Sequence, residues 1–222
     1  MRVSEDRYVR DLRRLNLARR FLRYEVRTQS ICEWTGLTDL RVRTLYRAYD
    51  VSDDAAQRHR GPSPTRVQAL LRSPILRCEA SAIAVLGYLF GAIPLRATPN
   101  ARRTLPGIEA GERVCKTFEV YRQLVPGSHF TMDQFILLTL SLAEGLEVEL
   151  RHCAHCHGSL LLDKRPNERA LCSWCRDAML PKNRAVGQAI LAAHAAHPVE
   201  EPSGTGEAYQ QPLFLEDGQP AC

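Results

Sequence analysis

Residues 153–175 read CAHCHGSLLLDKRPNERALCSWC. Two C-x2-C pairs, Cys153 with Cys156 and Cys172 with Cys175, stand fifteen residues apart. Each pair sets two thiols on one tight turn, where backbone amides can support sulfur charge. The spacer is long enough to fold back and bring the second turn opposite the first. Four thiolates then close a tetrahedron about 2.3 Å from a central ion, the closed geometry of structural Zn²⁺. The spacing lies inside the range that reads as a zinc site. The expectation is one structural zinc per chain in a small four-cysteine, zinc-ribbon-like subdomain, held by Cys153, Cys156, Cys172 and Cys175.

Other chemistries compete for parts of this stretch. CAHCH at 153–157 satisfies the C-x-x-C-H attachment of c-type haem. That chemistry needs an exported chain, whereas residues 1–30 lack an apolar signal segment and carry arginine throughout. It also leaves Cys172 and Cys175 without a role. A thioredoxin-like dithiol sits in a βαβ pattern, which surrounds neither pair. An iron–sulfur cluster takes the same four thiolates, and spacing alone separates it poorly from zinc. A catalytic zinc would need an open position. The H-x-E glutamate of zinc deaminases is absent from His152, His155 and His157, and no H-E-x-x-H helix occurs. Those three histidines read as surface residues or neighbours of the ligands.

Upstream of the cysteines, Leu146–Leu150 (LEVEL) alternates apolar and acidic residues, the period of a half-buried strand, with Leu160–Leu162 as its partner. Before it, Thr131-Met132-Asp133-Gln134 is a capping-box start to an amphipathic helix. The longest apolar run, Ala80–Leu95, has sixteen residues and contains glycine and proline. A buried core helix suits it better than a membrane span, and Pro74 can open that helix. GPSP at 61–64 breaks the pattern, and Thr65–Leu71 reads as a short helix. Residues 96–107 read as a loop whose Arg96, Arg102 and Arg103 either meet phosphate or are solvated. An alanine-rich helix is expected over 183–194, and from Pro198 onward the composition is that of a disordered tail. The chain is thus expected to be mainly α, divided into 1–60, a helical core at 61–145, the cysteine subdomain at 146–182, a helix within 183–197 and a tail at 198–222.

Charge is uneven. Residues 1–72 hold sixteen arginines, no lysine and nine acids, a net +7, while the remainder nets −2. Such asymmetry suggests a polyanion partner, and guanidinium suits phosphate because it binds it bidentately. The competing reading is a solvated, arginine-biased surface. The other cysteines, Cys32, Cys78, Cys115 and Cys222, lack a framework spacing and read as reduced thiols of a cytoplasmic chain. No glycine-rich phosphate loop or nucleophile elbow is present, and nothing argues for an enzyme.

Within the basic region, residues 5–27 suggest a helix with an apolar stripe at Tyr8, Leu12, Leu15, Leu22 and Val26. Next comes Thr28–Tyr49, TQSICEWTGLTDLRVRTLYRAY. With Gly36 at the turn of a helix-turn-helix-like unit, Cys32 lies where two helices approach, Ile31 and Leu37 flank the turn, and Val42 and Leu45 face inward. Thr38 can cap the second helix. Arg41, Arg43, Thr44 and Arg47 then point outward with Asp39, as a DNA-reading helix requires. An ordinary helical hairpin would also place them in water. Around the cysteines, Lys164, Arg165, Arg169 and Arg176 are further candidates for phosphate contact.

Taken in order, the arginine-rich helix, RTQSICEWTGLTDLRVRTLYR, the GPSP break, FTMDQFILLTLSLAEG and the CAHC…CSWC pairs resemble the FlhC family of bacterial flagellar transcriptional activators, over residues 5 to 195. The resemblance implies a DNA-binding subunit that joins FlhD, two FlhC chains with four FlhD chains. Such a heterohexamer binds double-stranded promoter DNA and activates flagellar operons transcribed by RNA polymerase. The family's four cysteine ligands fall on Cys153, Cys156, Cys172 and Cys175.

Overall fold

The structure, a computed structural model, describes residues 5–49, 64–164 and 170–178; the expected helix over 183–194, the tail, Arg165 and Arg169 lie outside these residues. Its elements in chain order are α1 (Glu5–Arg23), α2 (Thr28–Thr35), α3 (Asp39–Tyr49), a 3-10 turn (Val67–Leu71), α4 (Pro74–Leu89), α5 (Ala101–Thr104), α6 (Ile108–Leu124), α7 (Met132–Glu144), β1 (Val148–His152), β2 (Ser159–Asp163) and α8 (Ser173–Ala178). The fold of the described residues is mainly helical, with one two-stranded hairpin beside the cysteines. No helix among them is long and apolar enough to cross a membrane.

Helix α1 buries a different stripe from the one its sequence suggests. Leu17, Ala18 and Phe21 are in the core, Leu15 and Leu22 pack against it, and Tyr8 and Leu12 are exposed. The reason is its partner. Helix α6, for which the sequence carries no clear local signal, lies alongside α1 and contributes Val114, Cys115 and Phe118. Two ion pairs lock the crossing, Arg13 Nη2 to Glu112 at 2.6 Å and Arg20 Nη2 to Glu119 at 2.8 Å. Each guanidinium also donates through Nε to the same carboxylate, so both pairs are bidentate. The two pairs share one sequence offset, so the helices run parallel. Arginines that read as a basic surface therefore stitch one helix to another.

Helices α2 and α3 meet at Gly36, whose φ of 68° is a conformation glycine adopts without a Cβ penalty. Ile31, Trp34, Leu37 and Val42 are buried around this turn, and Phe21 meets Trp34 edge to face. Thr35 Oγ1 donates to the Ile31 carbonyl and accepts the Leu37 N–H, satisfying a buried turn. Thr38 Oγ1 accepts the N–H of Arg41, the expected cap of α3.

Pro74 opens α4 as its first turn requires, and the helix ends at Leu89 instead of running to Leu95. Gly91, at φ 67°, turns the chain so that Ile93 packs back into the core. The loop at 96–107 contains a single helical turn, α5, and Arg102 there pairs with Glu144 at 3.0 Å. Helix α7 begins with the expected capping box: Thr131 Oγ1 accepts the Gln134 N–H while Gln134 Oε1 accepts the Thr131 N–H.

The hairpin pairs β1 with β2 antiparallel, Leu150 opposite Leu161 and His152 opposite Ser159. From sequence alone residues 146–180 read as too poor in apolar residues to pack alone. The hairpin does not pack alone: Val148, Leu160, Leu161 and Leu162 are all buried, because α4 covers the outer edge of β2. Ser81 Oγ accepts the Leu161 N–H, and Arg77 Nε donates to the Leu161 carbonyl, both at 2.9 Å. A strand edge that would otherwise need water is thus completed by side chains of a helix.

A candidate metal centre on the hairpin

The hairpin carries the first cysteine pair at its tip. Cys153 follows β1, and the chain returns through His157, whose φ of 58° makes the turn left-handed. The Cys153 N–H donates to the Gly158 carbonyl and the His157 N–H to the Cys153 carbonyl, a closed loop of the kind that presents two thiols together. The second pair begins α8. Cys172 precedes its first residue and accepts the Cys175 N–H on Sγ at 3.4 Å, so the thiol acts as the helix cap. One backbone bond joins the two turns, from the Ala154 N–H to the Ala170 carbonyl at 2.7 Å.

The four Sγ atoms of Cys153, Cys156, Cys172 and Cys175 all lie within 4.8 Å of one another, and Cys156 and Cys172 are 3.7 Å apart. A tetrahedron with sulfur about 2.3 Å from its centre has edges of about 3.8 Å. The quartet thus fits a single ion such as Zn²⁺. An iron–sulfur cluster interposes several atoms and needs its sulfurs further apart.

Electrostatics favour the thiolate at Cys153 and oppose it at Cys172 and Cys175. Burial pushes the Cys153 thiol up, but backbone N–H groups of Cys156, Cys172 and His155 outweigh it and bring the group down to about 6. Burial pushes Cys172 and Cys175 up, and for Cys175 the neighbouring sulfurs add to the rise. Four sulfurs this close repel as anions, and a divalent cation removes that conflict. His155 Nδ1 lies 3.7 Å from Cys175 Sγ, beside the ligands, while His152 Nδ1 is 3.1 Å from the His157 carbonyl. All three histidines are exposed.

The candidate nucleic-acid residues fall on separate elements. On α3, Arg41, Arg43, Thr44 and Arg47 are all exposed; Arg43 pairs with Asp39 at 2.8 Å, and the Thr44 hydroxyl donates to the Leu40 carbonyl. Arg41 and Arg47 have no ion pair among the described residues. Near the metal centre, Lys164 Nζ donates to the Gly145 carbonyl at the C-terminus of α7, and Arg176 is exposed on α8. Two features carry no sequence expectation. Trp174, between the second pair of cysteines, is 67% exposed, and Leu40 is exposed at the start of α3. Nothing local distinguishes such residues from core ones, since exposure depends on what packs there.

No protein-family model matches the chain, and no curated protein matches it.

Proposed function

We propose that the chain is the zinc-containing, DNA-binding subunit of a transcription activator of the FlhC kind, acting with FlhD on promoter DNA ahead of RNA polymerase at flagellar operons. The observation that carries this reading is the order of parts. A helix pair turning at Gly36 presents Arg41, Thr44 and Arg47 outward. Further along, α7 runs straight into the hairpin that holds the cysteine quartet. In the helix-turn-helix reading α3 lies in the major groove, where Arg41 and Arg47 reach base edges or phosphates and the capped N-terminus fixes the helix against the body.

Cys153, Cys156, Cys172 and Cys175 would hold the ion, which supplies a rigid closed scaffold and no catalytic water. Cys153 and Cys156 anchor the hairpin tip; Cys172 and Cys175 anchor α8 and with it Arg176. Lys164 and Arg176 then supply phosphate contacts on this side, and Arg165 and Arg169 are further candidates from the sequence. Two copies in an assembly would engage two half-sites and bend the DNA between them.

One observation favours a second reading, a zinc module that binds protein alone. Arg13, Arg20 and Arg27 are bound to Glu112, Glu119 and Asp133, which removes part of the arginine excess from the surface. Fluorescence anisotropy on a flagellar promoter fragment, with zinc-loaded protein, with and without FlhD and across a salt series, separates the two. An activator subunit binds selectively, tightens with FlhD and weakens steeply with salt, by about 0.9 in log–log slope per phosphate contact. Absence of binding in every arm leaves the protein-binding module.

A further inference from the structure

We propose that Cys156 is a site of oxidation by hydroperoxides, and that Cys172 resolves it into a disulfide that joins the two cysteine turns and gives up the metal. The inference rests on the geometry of the quartet and is independent of any DNA contact.

Two observations select this pair. The first is access: Cys156 is exposed and Cys172 half-buried, whereas Cys153 and Cys175 are 0% and 4% exposed. The second is reach, since Cys156 and Cys172 Sγ stand 3.7 Å apart across the two turns. A disulfide within either turn would instead require a buried sulfur, Cys153 or Cys175, to complete the exchange. Cys153 Sγ also accepts the Cys172 N–H at 3.4 Å, which holds it inside the centre. The exposed thiol is the first that a peroxide in solution reaches, and a neighbouring thiol is what converts the product to a disulfide.

The chemistry balances with a hydroperoxide as oxidant. Cys156 sulfur attacks a peroxide oxygen, the O–O bond breaks, and the leaving alkoxide takes a proton to depart as an alcohol, or as water from hydrogen peroxide. Cys156 is then a sulfenic acid. Cys172 thiolate attacks its sulfur, the S–S bond forms, the S–O bond breaks, and the hydroxide leaves as water with a second proton. Two electrons have passed from the sulfur pair to the peroxide. Cys153 and Cys175 cannot close a tetrahedron alone, so they release the ion and take up two protons. The Ala154–Ala170 backbone bond already joins the turns. Reduction therefore returns the four thiols to one another.

Trypsin makes the test direct. Arg151 and Lys164 bound the first pair and Arg169 and Arg176 the second, so residues 152–164 and 170–176 leave as separate peptides. Zinc-loaded full-length Cys78→Ser protein, which lacks the off-site thiol that is exposed among the described residues, is treated with hydrogen peroxide beside a chromogenic zinc chelator, alkylated and digested. The expected result is loss of the bound zinc together with a 152–164/170–176 cross-link whose fragments place it at Cys156 and Cys172. Dithiothreitol and added zinc reverse both. Unlinked peptides carrying internal disulfides, a cross-link through Cys153 or Cys175, or zinc retained under peroxide would each overturn the proposal. Cys156→Ser removes a metal ligand along with the oxidised thiol, so mapping the native quartet carries the decision.

Discussion

Arg27 and Asp133 join the start of α2 to the first turn of α7: Nη1 lies 2.5 Å from Oδ2, and the Arg27 N–H points at Oδ1 from 3.4 Å. Asp133 is only 4% exposed through its side chain, and Arg27 is 21% exposed. Removing one partner strands the other in a poorly hydrated setting, at a cost of about 2–4 kcal/mol. Asp133→Ala should lower the urea midpoint accordingly with the m-value unchanged. Arg27→Met with Asp133→Leu should recover most of the loss, because no charge is left behind.

Metal removal is expected to act locally. Leu161 takes both backbone bonds from α4, and Val148 and Leu161 belong to the main core. Chelation should therefore release the tip while the hairpin base holds. Hydrogen exchange should show the amides of Cys153, Ala154, His157, Cys175 and Arg176 losing protection on chelation, with Leu161 unchanged. Simultaneous loss at Leu161 would mean that the whole hairpin depends on the ion.

Cys115 gives the fold an alkaline limit. Burial pushes its thiol up to about 12, against about 8.5 in an unfolded chain. The group is an acid whose folded value is raised, so its contribution is intact below about pH 8.5. It is lost as pH rises toward 12, by about 1.4 kcal/mol per pH unit. Cys115→Ala should show a shallower decline than the parent between about pH 9 and 11, the window between those two values. In native zinc-loaded protein at about pH 8, below both, iodoacetamide should label Cys78 and leave Cys115 untouched.

What the chain discloses locally was legible from its residues. The quartet's spacing, the Thr131–Gln134 box, the Gly36 turn and the partnering of a strand near Leu150 with Leu160–Leu162 each depend on residues near one another in sequence. Long-range facts were not. Arg13 and Arg20 look like a phosphate-binding surface until Glu112 and Glu119, on a helix far along the chain, come to meet them. The stripe of α1 shifts to Leu17, Ala18 and Phe21 for the same reason, since its buried face is chosen by α6. Helix α6 itself buries Gly111 and Thr117 among its apolar residues, which blurs its periodicity. Likewise the leucines of β2 read only as a partner for the preceding strand until α4 supplies Ser81 and Arg77.

In the proposed function α3 meets DNA through Arg41 and Arg47. The measurement that tests it most directly compares zinc-loaded wild type with Arg41→Ala/Arg47→Ala on the promoter duplex with FlhD, by anisotropy across a salt series. The double variant should bind more weakly, with a log–log salt slope reduced by about 0.9 for each arginine that had met a phosphate and thermal stability unchanged. Identical affinity and slope in the two proteins would contradict it.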